Sequence, residues 1–138
     1  MGRLMAIDYG TKRVGIAVTD PMQIIASPLD TVHSKDIVDF ILNYSKQETV
    51  DAIIVGWPKN LDNTDTNNTR NVQAFINRLK KITSIPIHLE DERFTSKIAM
   101  NAMISSGAKK KDRANKGNID KVSAAVILQS YMERNSGF

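Results

Sequence analysis

Four acidic side chains in this sequence have the types and positions for joint chemistry: Asp8, Asp91, Glu92 and Asp120. Asp8 follows an uninterrupted apolar run, Leu4-Met5-Ala6-Ile7, which reads as a strand covered on both faces. An acid at the end of such a strand is costly unless something positive sits against it. A divalent cation is one such partner; the plainer alternative is a turn-capping aspartate bonded to the backbone near Gly10 and Thr11. Asp91 and Glu92 end a second short apolar strand, where a solvated charge cluster paired with Arg93 would also be ordinary. Asp120 falls in the first turn of the last predicted helix, a place the helix dipole favours for any acid.

Brought into one pocket, these carboxylates would repel one another unless divalent cations occupied it. Such a site suits two-metal phosphodiester hydrolysis, with one cation activating a water and the other stabilising the leaving 3′-oxygen, roughly 4 Å apart. Only one of two adjacent carboxylates on an extended segment faces a given point. Glu92 is preferred for its longer reach and Asp91 is the runner-up, so the expected metal ligands are Asp8, Glu92 and Asp120. The chain has no cysteine and only two histidines, His33 and His88. A metal site must therefore be built of oxygen, which favours Mg²⁺ or Mn²⁺ over Zn²⁺.

A basic set accompanies the acidic one. Lys109, Lys110, Lys111, Arg113 and Lys116 crowd a stretch almost without apolar residues, Lys12 and Arg13 sit on the turn beside Asp8, and Arg93 follows Glu92. Charge runs are commonly just solvated loops. As a nucleic-acid contact, this one would grip phosphates without reading sequence, and its contribution would fall steeply with salt. The formal charge of +4 is compatible with such a partner without requiring it. Trp57 and Tyr9 are the only well-placed stacking candidates, so a general single-strand platform is not expected.

The elements that must position these residues follow from periodicity. At 138 residues the chain is expected to form a single domain, 1–138. Two strands flank the turn at Gly10, and Ile24 to Val32 makes a third, broken by Pro28 as at an edge or a bulge. Such short turns force an antiparallel meander. Ser34 or Asp36 can cap a helix whose stripe is Ile37, Phe40, Ile41 and Tyr44. Ala52 to Gly56 reads as a buried strand, and Lys59 to Asn71 as a long polar loop. A helix on Val72, Phe75, Ile76 and Leu79 follows, then a strand over Ile85 to Leu89. A helix capped by Thr95 carries Ile98, Ala99, Ala102 and Met103, and one capped by Asn118 carries Val122, Ala125, Val126 and Tyr131. Right-handed crossovers then give an α/β fold: a five-stranded mixed sheet, three strands meandering and two parallel, flanked by helices in the ribonuclease-H-like layout. In that layout Asp8, the loop after Gly56 and Asp91-Glu92 open onto one sheet edge, where α/β sheets bind ligands. No apolar run approaches a membrane span and no leader is evident, so a cytoplasmic protein without membrane contact is expected.

Asp8-Tyr9-Gly10-Thr11-Lys12-Arg13-Val14-Gly15-Ile16-Ala17-Val18-Thr19-Asp20 resembles the opening motif of the YqgF (RuvX-like) family. Val55-Gly56-Trp57-Pro58, Asp91-Glu92-Arg93-Phe94-Thr95-Ser96 and Ile119-Asp120-Lys121-Val122-Ser123-Ala124-Ala125 resemble its later motifs in the same order, and the likeness runs from about Arg3 to Tyr131. Ser96 stands where threonine is usual, Trp57 where an aliphatic residue is usual, and Ser123 where alanine or methionine is common; no carboxylate is lost. The resemblance implies a ribonuclease-H-like nuclease, described both as maturing the 5′ end of 16S rRNA and as a Holliday-junction resolvase. It also implies that Asp8, the acid of the Asp91-Glu92 pair and Asp120 are catalytic metal ligands. The expected partner is nucleic acid, structured RNA or branched DNA, and the expected assembly a monomer or homodimer. Two rivals differ in class. Asp8-Tyr9-Gly10-Thr11 is also similar to the first phosphate loop of sugar kinases and actin-like ATPases, but the sequence shows no second loop of that type and is not expected to hold a second domain. A catalytically silent RNA-binding module is the other.

Overall fold

The computed structural model describes residues 2–57, 69–91 and 116–135, with residues 91, 116–120 and 135 described in backbone only. In chain order the elements are β1 (Arg3–Tyr9), β2 (Arg13–Thr19), β3 (Ala26–His33), α1 (Ile37–Gln47), β4 (Val50–Trp57), α2 (Thr69–Ile82), β5 (Ile87–Asp91) and α3 (Lys116–Asn135). The strands form one sheet in the order β3-β2-β1-β4-β5. Turns of a few residues make β1–β2 and β2–β3 antiparallel, whereas connections through α1 and α2 make β1–β4 and β4–β5 parallel. This is the expected five-stranded mixed sheet.

Each face of the sheet has its own core. Met5, Ile7, Val14, Ile16, Ile53 and Val55 face α1 and α2 and pack with Ile37, Val38, Ile41, Val72, Phe75, Ile76 and Leu79. Leu4, Ala6, Ala17, Ala52 and Ile54 face α3 and pack with Ala124, Ile127 and Leu128. Alanines on this second face let α3 lie close to the sheet. Burial on both faces explains why β1 and β4 read as continuous apolar runs instead of alternating ones. Side-chain alternation along β1 then puts Asp8, two residues beyond Ala6, on the α3 face.

Several boundaries differ from the sequence expectation. β3 starts at Ala26, and Ile24 and Ile25 are exposed. Asp20 draws them out of the strand by accepting backbone N–H bonds from Met22 (3.1 Å), Ile24 (2.9 Å) and Ile25 (2.8 Å). Pro28 does lie on an edge strand, at a bulge: Ile16 pairs with Asp30 and Ala17 with Pro28, leaving Leu29 over. Asp36 is the N-cap of α1, but its side chain makes no capping bond, and the Ser34 hydroxyl bonds Thr11 O instead (2.6 Å). β5 begins at Ile87, just after Pro86 O accepts the Ile53 N–H (2.8 Å). Asn118 lies inside α3 and does not cap it, because the helix already runs from Lys116. The predicted loop over 59–68 and the helix on Ile98, Ala99, Ala102 and Met103 lie outside the described residues.

The bonds at Asp20, that from Ile25 foremost, hold its carboxyl below the ordinary carboxylate range. A lowered folded-state pKa means stability that is present above the unfolded value and lost as pH falls through the folded one. Asp20→Asn is therefore expected to be less stable than the native protein at neutral pH. The gap should close as the medium is acidified below the ordinary carboxylate range, as urea midpoints at a series of pH values would read.

Candidate active site

Three parallel strands bring their carboxyl ends to one edge. Ile7 pairs with Val55, and Val55 with Leu89; one residue further, Gly56 pairs with Glu90. Asp8 continues the first of these pairings beside Gly56 and is paired on its other side with Gly15. The row across the α3 face is thus Gly15, Asp8, Gly56 and Glu90. Asp8 is half-buried, and the positions flanking it on both neighbouring strands carry no side chain. A carboxylate with glycine on either hand leaves room for a ligand close to the sheet, a use of strand glycine that outweighs its cost in entropy. The turn beyond it is tight: a Cβ on Gly10 would lie 2.5 Å from Arg13 O. Gly10→Ala is therefore expected to cost about 1–3 kcal/mol by forcing the backbone apart next to Asp8, readable as a lower urea midpoint.

Glu90, not among the residues singled out from the sequence, is buried at the end of the same row. Its side chain is only 3% exposed. Oε1 accepts a bond from Arg134 Nη1 of α3 at 2.8 Å, and Oε2 is buried with no hydrogen-bond partner. One turn earlier on the helix, Tyr131 stacks on His88 with ring centroids 5.6 Å apart. These two contacts fasten the carboxyl-terminal part of α3 to β5 on the face that carries Asp8.

The other expected site residues are placed to different degrees. Asp91 ends β5 and pairs with Trp57. Asp120 and Lys116 lie in the first turns of α3, the helix that covers the Asp8 face. Glu92, Arg93, Lys109, Lys110, Lys111 and Arg113 lie outside the described residues. Lys12 and Arg13 are exposed at the Asp8 edge. Arg13 pairs with His33 across β2–β3, and the Ser34 N–H bonds Lys12 O (3.2 Å), so the turn is strapped to the end of β3. His33 Nδ1 accepts the Lys35 N–H at 3.1 Å. Lys35, exposed next to this turn, adds a further cation to the basic rim that Lys12 and Arg13 begin. Among the described residues no three ligating side chains gather at one point, and no helix is long and apolar enough to cross a membrane.

Comparison with known proteins agrees with this architecture. The family described as "RuvX: Holliday junction resolvase" matches residues 2–134. A Phocaeicola vulgatus protein provisionally named pre-16S rRNA nuclease is 54% identical over 134 residues, covering 96% of each chain. A protein of the same name from Amoebophilus asiaticus is 49% identical, covering 96% of this chain and 94% of its own. Among solved structures, Thermus thermophilus RuvC in complex with a Holliday junction substrate superposes with a TM-score of 0.59 at 14% identity, over 97% of this chain and 96% of that one. The fowlpox virus resolvase with its junction DNA gives 0.59 at 11% identity, over 96% and 97%. At such identities the likeness is one of fold, the ribonuclease-H-like fold of RuvC-type resolvases.

Proposed function

From the premise that the chain belongs to the RuvX family, we propose that it is a divalent-cation-dependent nuclease that processes the 5′ end of precursor 16S rRNA in the cytoplasm. The observation that carries the catalytic part is Asp8 at the carboxyl edge of the parallel strands, between Gly15 and Gly56. The RNA substrate is supported by relatives of near-equal length that bear the pre-16S name.

The residues present fit a hard cation. Asp8 offers oxygen, glycines stand on either side of it in its row, and the buried Oε2 of Glu90 lies in the same row without a partner. Asp8, Glu92 and Asp120 would hold the cation, Mg²⁺ or Mn²⁺, with Asp91 as the alternative to Glu92. Bound there, it supplies Lewis-acid chemistry, lowering the pKa of a water and offsetting charge on the leaving oxygen. The chain's own part is to place the backbone. Lys12 and Arg13 hold phosphates at the rim of the site, with Arg93, Lys109, Lys110, Lys111, Arg113 and Lys116 as the further phosphate contacts expected from the sequence, and the two glycines let the sugar-phosphate chain lie close to Asp8.

The family's description favours a second substrate, the four-way DNA junction. Symmetric cutting of a junction requires two active sites and hence a dimer, whereas trimming RNA does not. Incubation of the protein and Mg²⁺ with end-labelled precursor 16S 5′ segment and with an end-labelled junction separates the readings. Cutting of the RNA by a monomer supports the proposal. Paired cuts in the junction by a dimer, with the RNA intact, would replace it, and no cutting of either would leave the binding module.

A further inference from the structure

Glu90 is unexplained by packing. Leaving one carboxylate oxygen buried and unbonded is costly, and the Arg134 bond uses only Oε1. A side chain needed only to clamp α3 would be better served by two satisfied oxygens.

Its position gives a reason. Glu90 and Asp8 lie in one row on the α3 face, with only Gly56 between them. Two strand spacings separate their backbones by about 10 Å. A carboxylate, a hydrated divalent cation and a second carboxylate reached through one water span roughly 7 Å between the outer oxygens. That is within what two side chains rising from such backbones can bridge. The Arg134 guanidinium offsets the charge of Glu90, so the pair offers a cation little direct attraction. It does offer a fixed acceptor for one of the cation's waters. Residues in that role orient the inner ligands, and losing one typically costs about 10–100-fold in metal affinity.

We propose that Glu90, held by Arg134, is a further residue of the cation site at Asp8, its Oε2 accepting a hydrogen bond from the cation's hydration shell. The inference rests on the reading of Asp8 as a cation ligand. The test is Mn²⁺ titration of nucleic-acid-free protein, following unbound Mn²⁺ by electron paramagnetic resonance, on native protein, Glu90→Gln, Glu90→Asp and Asp8→Asn. Thermal melts without cation establish that each variant is folded. The expected result is loss of site binding in Asp8→Asn and a Kd raised about tenfold or more in folded Glu90→Gln. Glu90→Asp keeps the charge but withdraws the oxygens, and it should also bind more weakly. Native affinity in folded Glu90→Gln or Glu90→Asp, with binding lost in Asp8→Asn, would overturn the role of Glu90 alone. Native affinity in Asp8→Asn would overturn the cation reading of Asp8 and this inference with it.

Discussion

Asp8→Asn is expected to reduce cation-dependent cleavage on the order of a thousandfold while leaving the protein folded. The substitution is isosteric and retains one acceptor oxygen, but it removes the charge that holds a divalent cation. A catalytic cation is worth several kcal/mol in the transition state, and each 1.4 kcal/mol is tenfold in rate. Asp8 is only half-buried, and no apolar side chain flanks it in its row, so its contribution to the core is small. Single-turnover cleavage rates and a thermal melt on the same preparation check both halves of this expectation. A variant that unfolds would say that Asp8 is structural, as a turn-capping aspartate would be.

Its neighbour should behave in the opposite way. Ile7 is fully buried on the face covered by α1 and α2, and Ile7→Ala is expected to cost about 2–5 kcal/mol through lost burial and the cavity left behind. Against a typical total of about 5–15 kcal/mol, that loss would populate the unfolded state near physiological temperature. The urea midpoint should fall with its slope unchanged, and cleavage should decline with the folded fraction. On the proposed reading, adjacent residues on one strand would separate stability from catalysis, because alternation sends Ile7 to the α1–α2 face and Asp8 to a row flanked by glycine.

Much of the fold was legible because its signals are local. The apolar runs at Leu4–Ile7 and Ala52–Gly56 announce strands buried on both faces, and the short turns at Gly10 and Pro21 leave no choice but a meander. Asp8 stood out as a candidate for the same reason, as the first charge after such a run. Glu90 did not. In the sequence it is the first of four charged residues, Glu90-Asp91-Glu92-Arg93, which read as a solvated strand end. Its ion-pair partner, Arg134, is far along the chain on α3, and its place in the same row as Asp8, two strands away, emerges only once Gly56 has set the register. The early end of β3 was hidden similarly. Ile24 and Ile25 have strong strand propensity, yet their two N–H bonds to the Asp20 carboxylate hold them outside it.

On the proposed reading, Asp8 anchors a cation without which the chain cannot cut nucleic acid. The most direct measurement is the single-turnover rate on the end-labelled precursor RNA across a Mg²⁺ titration that starts from chelated protein, with native and Asp8→Asn chains side by side. The expected result is no cleavage in chelator, a saturable rise with Mg²⁺ in the native protein, and a flat trace in the variant, with RNA still bound by both. Cleavage that persists in chelator, or an Asp8→Asn trace that follows the native one, would contradict it.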